Sequence, residues 1–537
     1  MTVIAPIDVA ERVEALDELR RARRSNHRRN IHWVDALYNV YLTAVGALVA
    51  VLVTASWIPE EKLDDAGIAG FISATPGWVG LAVAVAWAGG LRSGGRGGPL
   101  TLEPAVVFHE LLGPVPRGPA LRAPAMKLLR FAAFAGLLVG ALVGVQATRR
   151  LPGNALVIVG CAALLGLALT TSTVGLAMLV SGRRVHRYVA LAVGLGLVAW
   201  AVADLWFGTV TSPTTMLATL AVWPEQFNAV AFVGLVLSGL AVVVGLSGIA
   251  GTSIESARRR AGLVSQLRFA VTLQDVRTVV LLRRQLNEEE PRAQPWIRFT
   301  PKARSRVYPT WKRDLQGYLR FPITRVLRLV GLAVAAGLCL GFVWRGVPAA
   351  IVGAAAALFI AAYEANEPIG QEIDHPTRWY GPPVEPGSLL TRHLPGAIVL
   401  MLLECVLVAA AALILVPPGV VAQLAPIVII PVAGGAAIGG AVATVTGLPG
   451  PTADFGRSGM SGVGDGMGGD IFGYQALARL LLPPAIVLAA LAPLLAAGHD
   501  PDAIAETAGR VSNLVSFSLV TTVAGFIYVR TRRPSRL

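Results

Sequence analysis

The sequence predicts an all-α, polytopic membrane protein. It has about twelve transmembrane helices in two six-helix repeats, with both termini in the cytoplasm. Three observations carry this. Apolar runs of about 18 residues or more recur along the whole chain. Only 15% of the 537 residues are charged, against roughly 25% in soluble domains, and the mean hydropathy is +0.63. Basic residues alternate between loops in the pattern of an inside and an outside, and a stretch near residue 103 returns near residue 367.

Residues 1–32 form a basic arm. Val13, Leu16 and Leu19 share one helical face, followed by Arg20, Arg21, Arg23, Arg24, Arg28 and Arg29. Such a segment suits an anionic inner leaflet, and its polar start does not read as a cleavable signal peptide. The spans follow at 33–57, 70–91, 129–148, 155–180, 188–206, 228–250, 326–345, 347–364, 396–416, 421–446, 477–497 and 508–529. Placing the arm inside leaves Lys62, Arg149, Arg150, Arg345 and Arg510 outside, and the other 41 of the 46 basic residues inside. That asymmetry sets the orientation in a plasma membrane. The net charge of +14 is then a topology signal and does not point to nucleic acid. The outer loops carry acid instead, at Glu60, Glu61, Asp64, Asp65, Asp500 and Asp502.

Each half therefore has six spans: 33–251 and 326–529, with a short basic tail at 530–537. The cytoplasmic connector, 252–325, holds an amphipathic stretch, Leu263–Leu286. It then runs through Trp311–Pro322 (WKRDLQGYLRFP) into the seventh span. The loop 207–227 contains an apolar segment, Thr214–Val222, bracketed by Pro213 and Pro224. It is too short to cross about 30 Å of hydrocarbon and reads as a re-entrant or surface helix at the outer face. Ala503–Gly509 is its shorter counterpart in the second half.

The stretch Glu103–Pro124 (EPAVVFHELLGPVPRGPALRAP) reads as a short amphipathic helix and a stop. Pro104 suits a first turn, Ala105, Phe108, Leu111 and Leu112 make an apolar stripe, and Gly113-Pro114 ends it. Glu367-Pro368 repeats Glu103-Pro104 at an offset of 264, and Val384–Gly387 resembles Val115–Gly118 at an offset of 269. An offset of half the chain is the mark of the internal duplication found in many transporters.

Motifs exclude several functions. There is no G-x-x-x-x-G-K-[ST] phosphate loop, so the chain is not expected to hydrolyse ATP alone. The run GVGDGMGG at 462–469 follows a span and lacks the strand-turn-helix setting of a nucleotide site. His109-Glu110 and Asp374-His375 lack further metal ligands, so no cofactor or metal is expected. Cys161, Cys339 and Cys405 lie in apolar spans and read as packed small hydrophobes. Charges inside spans are costly. Glu404 lies well within its span, while Asp35 and Asp204 lie near span ends. Each is either a proton or substrate contact or an interhelical hydrogen bond. Gly337 with Gly341, and Gly434, Gly435, Gly439 and Gly440, suit close helix packing.

These features together resemble the permease subunit of ATP-binding-cassette exporters whose half-units have six spans, in the fused double form found in actinobacteria. The residues that carry the resemblance are the basic helix before each six-span set, the short inner helix after the second span (103–112 and 367–375), and the outer helix in 207–227. In that family the short inner helix is a coupling helix that docks in a groove of the ATPase. The resemblance implies that Val106, Phe108, His109, Leu111 and Leu112, and Ile369, Glu372, Ile373 and Asp374, make that contact. It also implies an ATPase partner, as a dimer, holding ATP and magnesium, and a lipid, antibiotic or other amphipathic substrate passing between the halves. The weak second outer helix and the dissimilar inner helices depart from the pattern. An ion-coupled secondary transporter with two six-span halves is the alternative reading. A membrane-embedded transferase using the outer acids is a third.

Overall fold

The computed structural model describes residues 62–102, 106–113, 116–272, 292–297, 309–345, 347–374, 385–446, 468–496 and 503–532, with scattered positions of the arm, Tyr41 and Leu282. The first expected span at 33–57, with Asp35, and the glycine-rich run at 462–467 lie outside the described residues. Among the described residues the regular elements are helices. Eight are long and apolar enough to cross a membrane, or nine if one bent pair counts as a span. The chain is therefore read as a multi-pass membrane protein.

The chain divides into two compact units. Unit 1 holds residues 1–273 and 278–288, and unit 2 holds 274–277 and 289–537. Unit 1 contains α1 Asp65–Gly94, α2 Arg117–Ala147, α3 Ala155–Gly182, α4 Arg187–Phe207, α5 Pro213–Ala218, α6 Val230–Ser247 and α7 Ile254–Thr272. Unit 2 contains α8 Pro309–Tyr318, α9 Ile323–Trp344, α10 Ala350–Ala365, α11 Glu367–Asp374, α12 Pro386–Thr391, α13 Leu394–Ala412, α14 Pro418–Val445, α15 Gly468–Ala496 and α16 Ala503–Arg530.

Small residues decide how these helices pack. Lipid is as apolar as leucine, so helices in a bilayer associate by close backbone approach. In unit 1, α3 is the hub. One face meets α2, where a Cβ on Gly136 or Gly140 would collide with the carbonyls of Gly166 or Ala162. The other meets α6, where Gly175 lies against Ala241 and Gly245, and Gly182 against Gly248. In unit 2 the expected glycine pair works the same way: Gly337 lies on Val408 and Ala411, and Gly341 on Leu415. Gly435 and Gly439 meet α15, and Gly440 meets Ala362 of α10, while Gly434 faces open space.

Three elements differ from the sequence reading. In the first repeat the regular part of the expected helix is a π-helical turn, Val107–Leu111. The third span, expected to start at 129, begins earlier: α2 starts at Arg117 and runs through Pro124. Proline has no N–H for the carbonyl four residues back. That carbonyl, Ala120, instead accepts from Arg20 Nη2 at 2.8 Å. Last, Ala503–Gly509 is no separate element but the start of the unbroken helix α16.

The segment within 207–227 of unit 1 is a helix, as expected, with α5 continuing into a 3-10 turn, Thr219–Val222. It is sunk into the unit. Thr214, Thr215, Leu217, Ala218 and Leu220 are fully buried. Thr215 abuts Gly80 of α1, and Leu217 abuts Gly234 of α6. Gly80 stands about 21 Å along α1 from its Gly94 end, at 1.5 Å per residue. The segment thus lies within the length of the α1 span, and reads as re-entrant.

Candidate functional site

The two repeated short elements each sit at the end of their unit where arginines gather, here called the basic end. In unit 1, Val107 and Leu111 of the π turn are buried in an apolar cluster with Leu100, Leu102, Leu121 and Met178. This fixes the turn and decides which side faces out. Phe108 and Leu112 are each 51% exposed, His109 is exposed and Val106 is half-buried. The Arg258 guanidinium stands 5.5 Å from the Phe108 ring centroid, a cation–π contact.

Glu110, on the inward side of the turn, is buried. Arg20 from the basic arm reaches it, donating to Oε2 at 2.9 Å. The same guanidinium donates to the carbonyls of Pro119 at 3.1 Å and Ala120 at 2.8 Å. One arginine therefore ties the arm, the turn and the start of α2. The described arm positions between Glu11 and Ser25 are helical; Val13, Leu16 and Leu19, read as an apolar face, lie outside the described residues.

Unit 2 repeats the device with more charge. The helix α11 is bent by 49° from α10. Ile369 is fully buried on Leu390, Leu394 and Val442. Glu372 is buried and pairs with Arg313 of α8, the helix ahead of the set. Gln371 and Asp374 are exposed and Ile373 is half-buried. Of the nine residues that the resemblance placed at a docking surface, Leu111, Ile369 and Glu372 are thus turned inward.

Beside Glu372 lies a buried ionic group. Arg325 Nε is 2.8 Å from Glu364 Oε2 and also pairs with Glu367, while Arg328 donates to Glu364 Oε1 at 2.8 Å. Tyr318 donates to the Ala365 carbonyl at 2.7 Å. Burial, the largest influence, raises its phenol far above the ordinary value, with Asp314 adding to the rise. Asn366 Nδ2 donates to the carbonyls of Ala362 and Ala437, each at 2.8 Å. The sequence carried a signal for this group: two arginines three apart open one span, and two glutamates three apart close the next.

The two span acids differ. Asp204, 1% exposed, accepts from the Thr209 hydroxyl at 2.8 Å, the Thr211 hydroxyl at 2.5 Å, the Thr215 hydroxyl at 2.6 Å and the Ser212 N–H at 2.7 Å. It holds the chain turn from α4 into the sunken α5. That is a structural task. Glu404 is 3% exposed in the middle of α13, and its Oε2 is buried with no hydrogen-bond partner. Among the described residues, no group of three or more His, Cys, Asp or Glu could hold a metal.

No protein-family model matches this chain, and neither a curated protein nor a solved structure does. The reading of function rests on the residues and their placement.

Proposed function

We propose that the chain is the membrane permease subunit of an ATP-binding-cassette exporter, driven by an ATPase on a separate chain. One observation carries the reading. In both units a short helical element at the basic end is tied through a buried carboxylate to an arginine of the helix ahead of the spans, Arg20 to Glu110 and Arg313 to Glu372. A lever anchored inside and exposed outside is what a protein needs to receive force at its surface and pass it to spans as a hinge movement. The sequence has no phosphate loop of its own, so the force would come from another subunit. In this reading the basic end faces the cytoplasm, following the positive-inside rule. Phe108, His109 and Leu112 in unit 1, and Gln371, Ile373 and Asp374 in unit 2, face the ATPase. The substrate is a lipid or other amphipathic compound, in keeping with wide lipid-facing apolar surfaces.

The test is purification of the tagged chain from its own host, with ATP hydrolysis measured on the complex. A phosphate-loop ATPase should co-purify. The pair Phe108→Asp with Leu112→Asp should reduce its retention or its stimulated hydrolysis by about tenfold, a loss of roughly 1.4 kcal/mol of coupling. Normal retention and stimulation would sink the coupling role.

The ion-coupled alternative keeps one observation, the buried Glu404 without a hydrogen bond at Oε2. Buried acids in spans commonly mark ion pathways. If Glu404→Gln abolishes transport while the ATPase still binds and turns over, ion coupling gains.

A further inference from the structure

Two charge groups lie in unit 2, one buried and one buried except for the half-exposed Arg313, and they are built differently. The first is balanced by permanent charges: Arg325 and Arg328 against Glu364 and Glu367. The second contains Arg313, Asp314, Glu372 and His393. Arg313 pairs with Glu372. His393 Nδ1 lies 2.7 Å from Asp314 Oδ2, and His393 Nε2 faces Glu372 Oε1 at 4.0 Å. The side chains of His393 and Asp314 are each 1% exposed. Gly396 helps to bring them together: the space a side chain would fill there is bounded by Asp314, Trp311 and Tyr318. So one guanidinium and two carboxylates meet one imidazole. The proton on the imidazole adds one positive charge between the two carboxylates.

The position of His393 gives that proton a mechanical meaning. Asp314 belongs to α8, the helix ahead of the second set of spans. Glu372 belongs to α11, the short element bent off α10. His393 immediately precedes α13. A neutral imidazole serves one carboxylate through a donor N–H, whereas an imidazolium also attracts a second; Glu372, at 4.0 Å, stands at ion-pair and not hydrogen-bond distance from Nε2. The other titratable and charged groups nearby are committed. Tyr318 of α8 donates to Ala365. Arg325 and Arg328 of α9 hold Glu364 and Glu367. Arg392, next to His393, is also engaged, and Glu404 lies farther along α13.

We propose that His393 is a proton-operated latch between α8 and α11. With the proton bound, its ring bridges Asp314 and Glu372 and joins the two helices to the start of α13. With the proton lost, the Nε2 contact to Glu372 goes and Arg313 remains as the α8–α11 tie. The latch is closed with the proton bound and open without it. It depends on the geometry of unit 2 and holds whether or not the chain partners an ATPase.

Amide hydrogen exchange on the full-length protein in lipid nanodiscs tests this, with rates corrected for intrinsic pH dependence. Peptides over 309–322 and 367–374 should be about tenfold better protected at about pH 5.5 than at about pH 8.5, since a lost tie favours local opening. Peptides over 106–113 in unit 1 should not change. His393→Gln should flatten the pH dependence at the less protected level, and Asp314→Asn should do the same. Equal wild-type protection across the range overturns the proposal, as does an unchanged pH dependence in His393→Gln. If His393→Gln fails to fold, the wild-type series with Asp314→Asn decides: the latch stands if that variant is flat and falls if it is not.

Discussion

Asp204 shows how a single side chain can hold an irregular turn inside a membrane protein. Its partners are two N–H groups, of Thr211 and Ser212, and three hydroxyls, of Thr209, Thr211 and Thr215. Backbone that leaves the helix at membrane depth survives only where such groups are satisfied by protein. Removing the carboxylate strands two buried donors at once, the Ser212 N–H and the Thr215 hydroxyl, each costing about 1–3 kcal/mol. Asp204→Leu should therefore destabilise the purified protein by about 3 kcal/mol or more, read as a lower unfolding midpoint. By contrast Asp64→Ala, at the exposed N-cap of α1 that accepts from Gly67 N–H, should cost about 1 kcal/mol. Equal shifts would remove the special role of Asp204. The sequence showed that Asp204 was a charge near a span end. It did not show that the next eleven residues fold back to meet it, because that depends on where α5 comes to rest.

The elements are held by seams that the sequence marks only in part. Gly136, Gly140 and Gly144 line one side of α2, and each meets the α3 backbone closely. Gly196 in α4 and Gly239 in α6 have nothing within 4 Å of a Cβ. The two kinds of glycine look alike in the sequence. Gly140→Leu must push α2 off α3, and overpacking of this type costs about 1–3 kcal/mol. Gly196→Leu meets open space and should be close to neutral or slightly stabilising, since glycine is a poor helix former. Thermal unfolding of the two variants in one detergent separates them, and equal losses would refute the seam. Pro124 teaches the same lesson from the other side. As a residue type it reads as a helix stop. In the folded chain it sits inside α2, and the carbonyl it leaves free becomes an anchor for Arg20.

At the scale of the whole molecule, the distribution of basic residues makes the strongest prediction. In a background with Cys161, Cys339 and Cys405 replaced, a cysteine at exposed Gln226 should react with a membrane-impermeant maleimide in intact cells. A cysteine at exposed Arg183 should react only after permeabilisation. The reverse pattern would invert the orientation and move the levers to the wrong face for an ATPase. The sequence by itself determined that the chain is helical, that it is built for a bilayer, and that it carries a repeated short element after an early span in each half. Those properties follow from apolar run length and from local periodicity, which neighbouring residues along the chain are enough to specify. Only the tertiary structure decided that Glu110 and Glu372 turn inward to arginines, that α5 sinks between α1 and α6, and that His393 stands between Asp314 and Glu372. These depend on which distant segments share a small volume. In a chain this rich in alanine, glycine and valine, many pairings satisfy the apolar pattern. Close backbone approach and the need to pair each buried charge select among them.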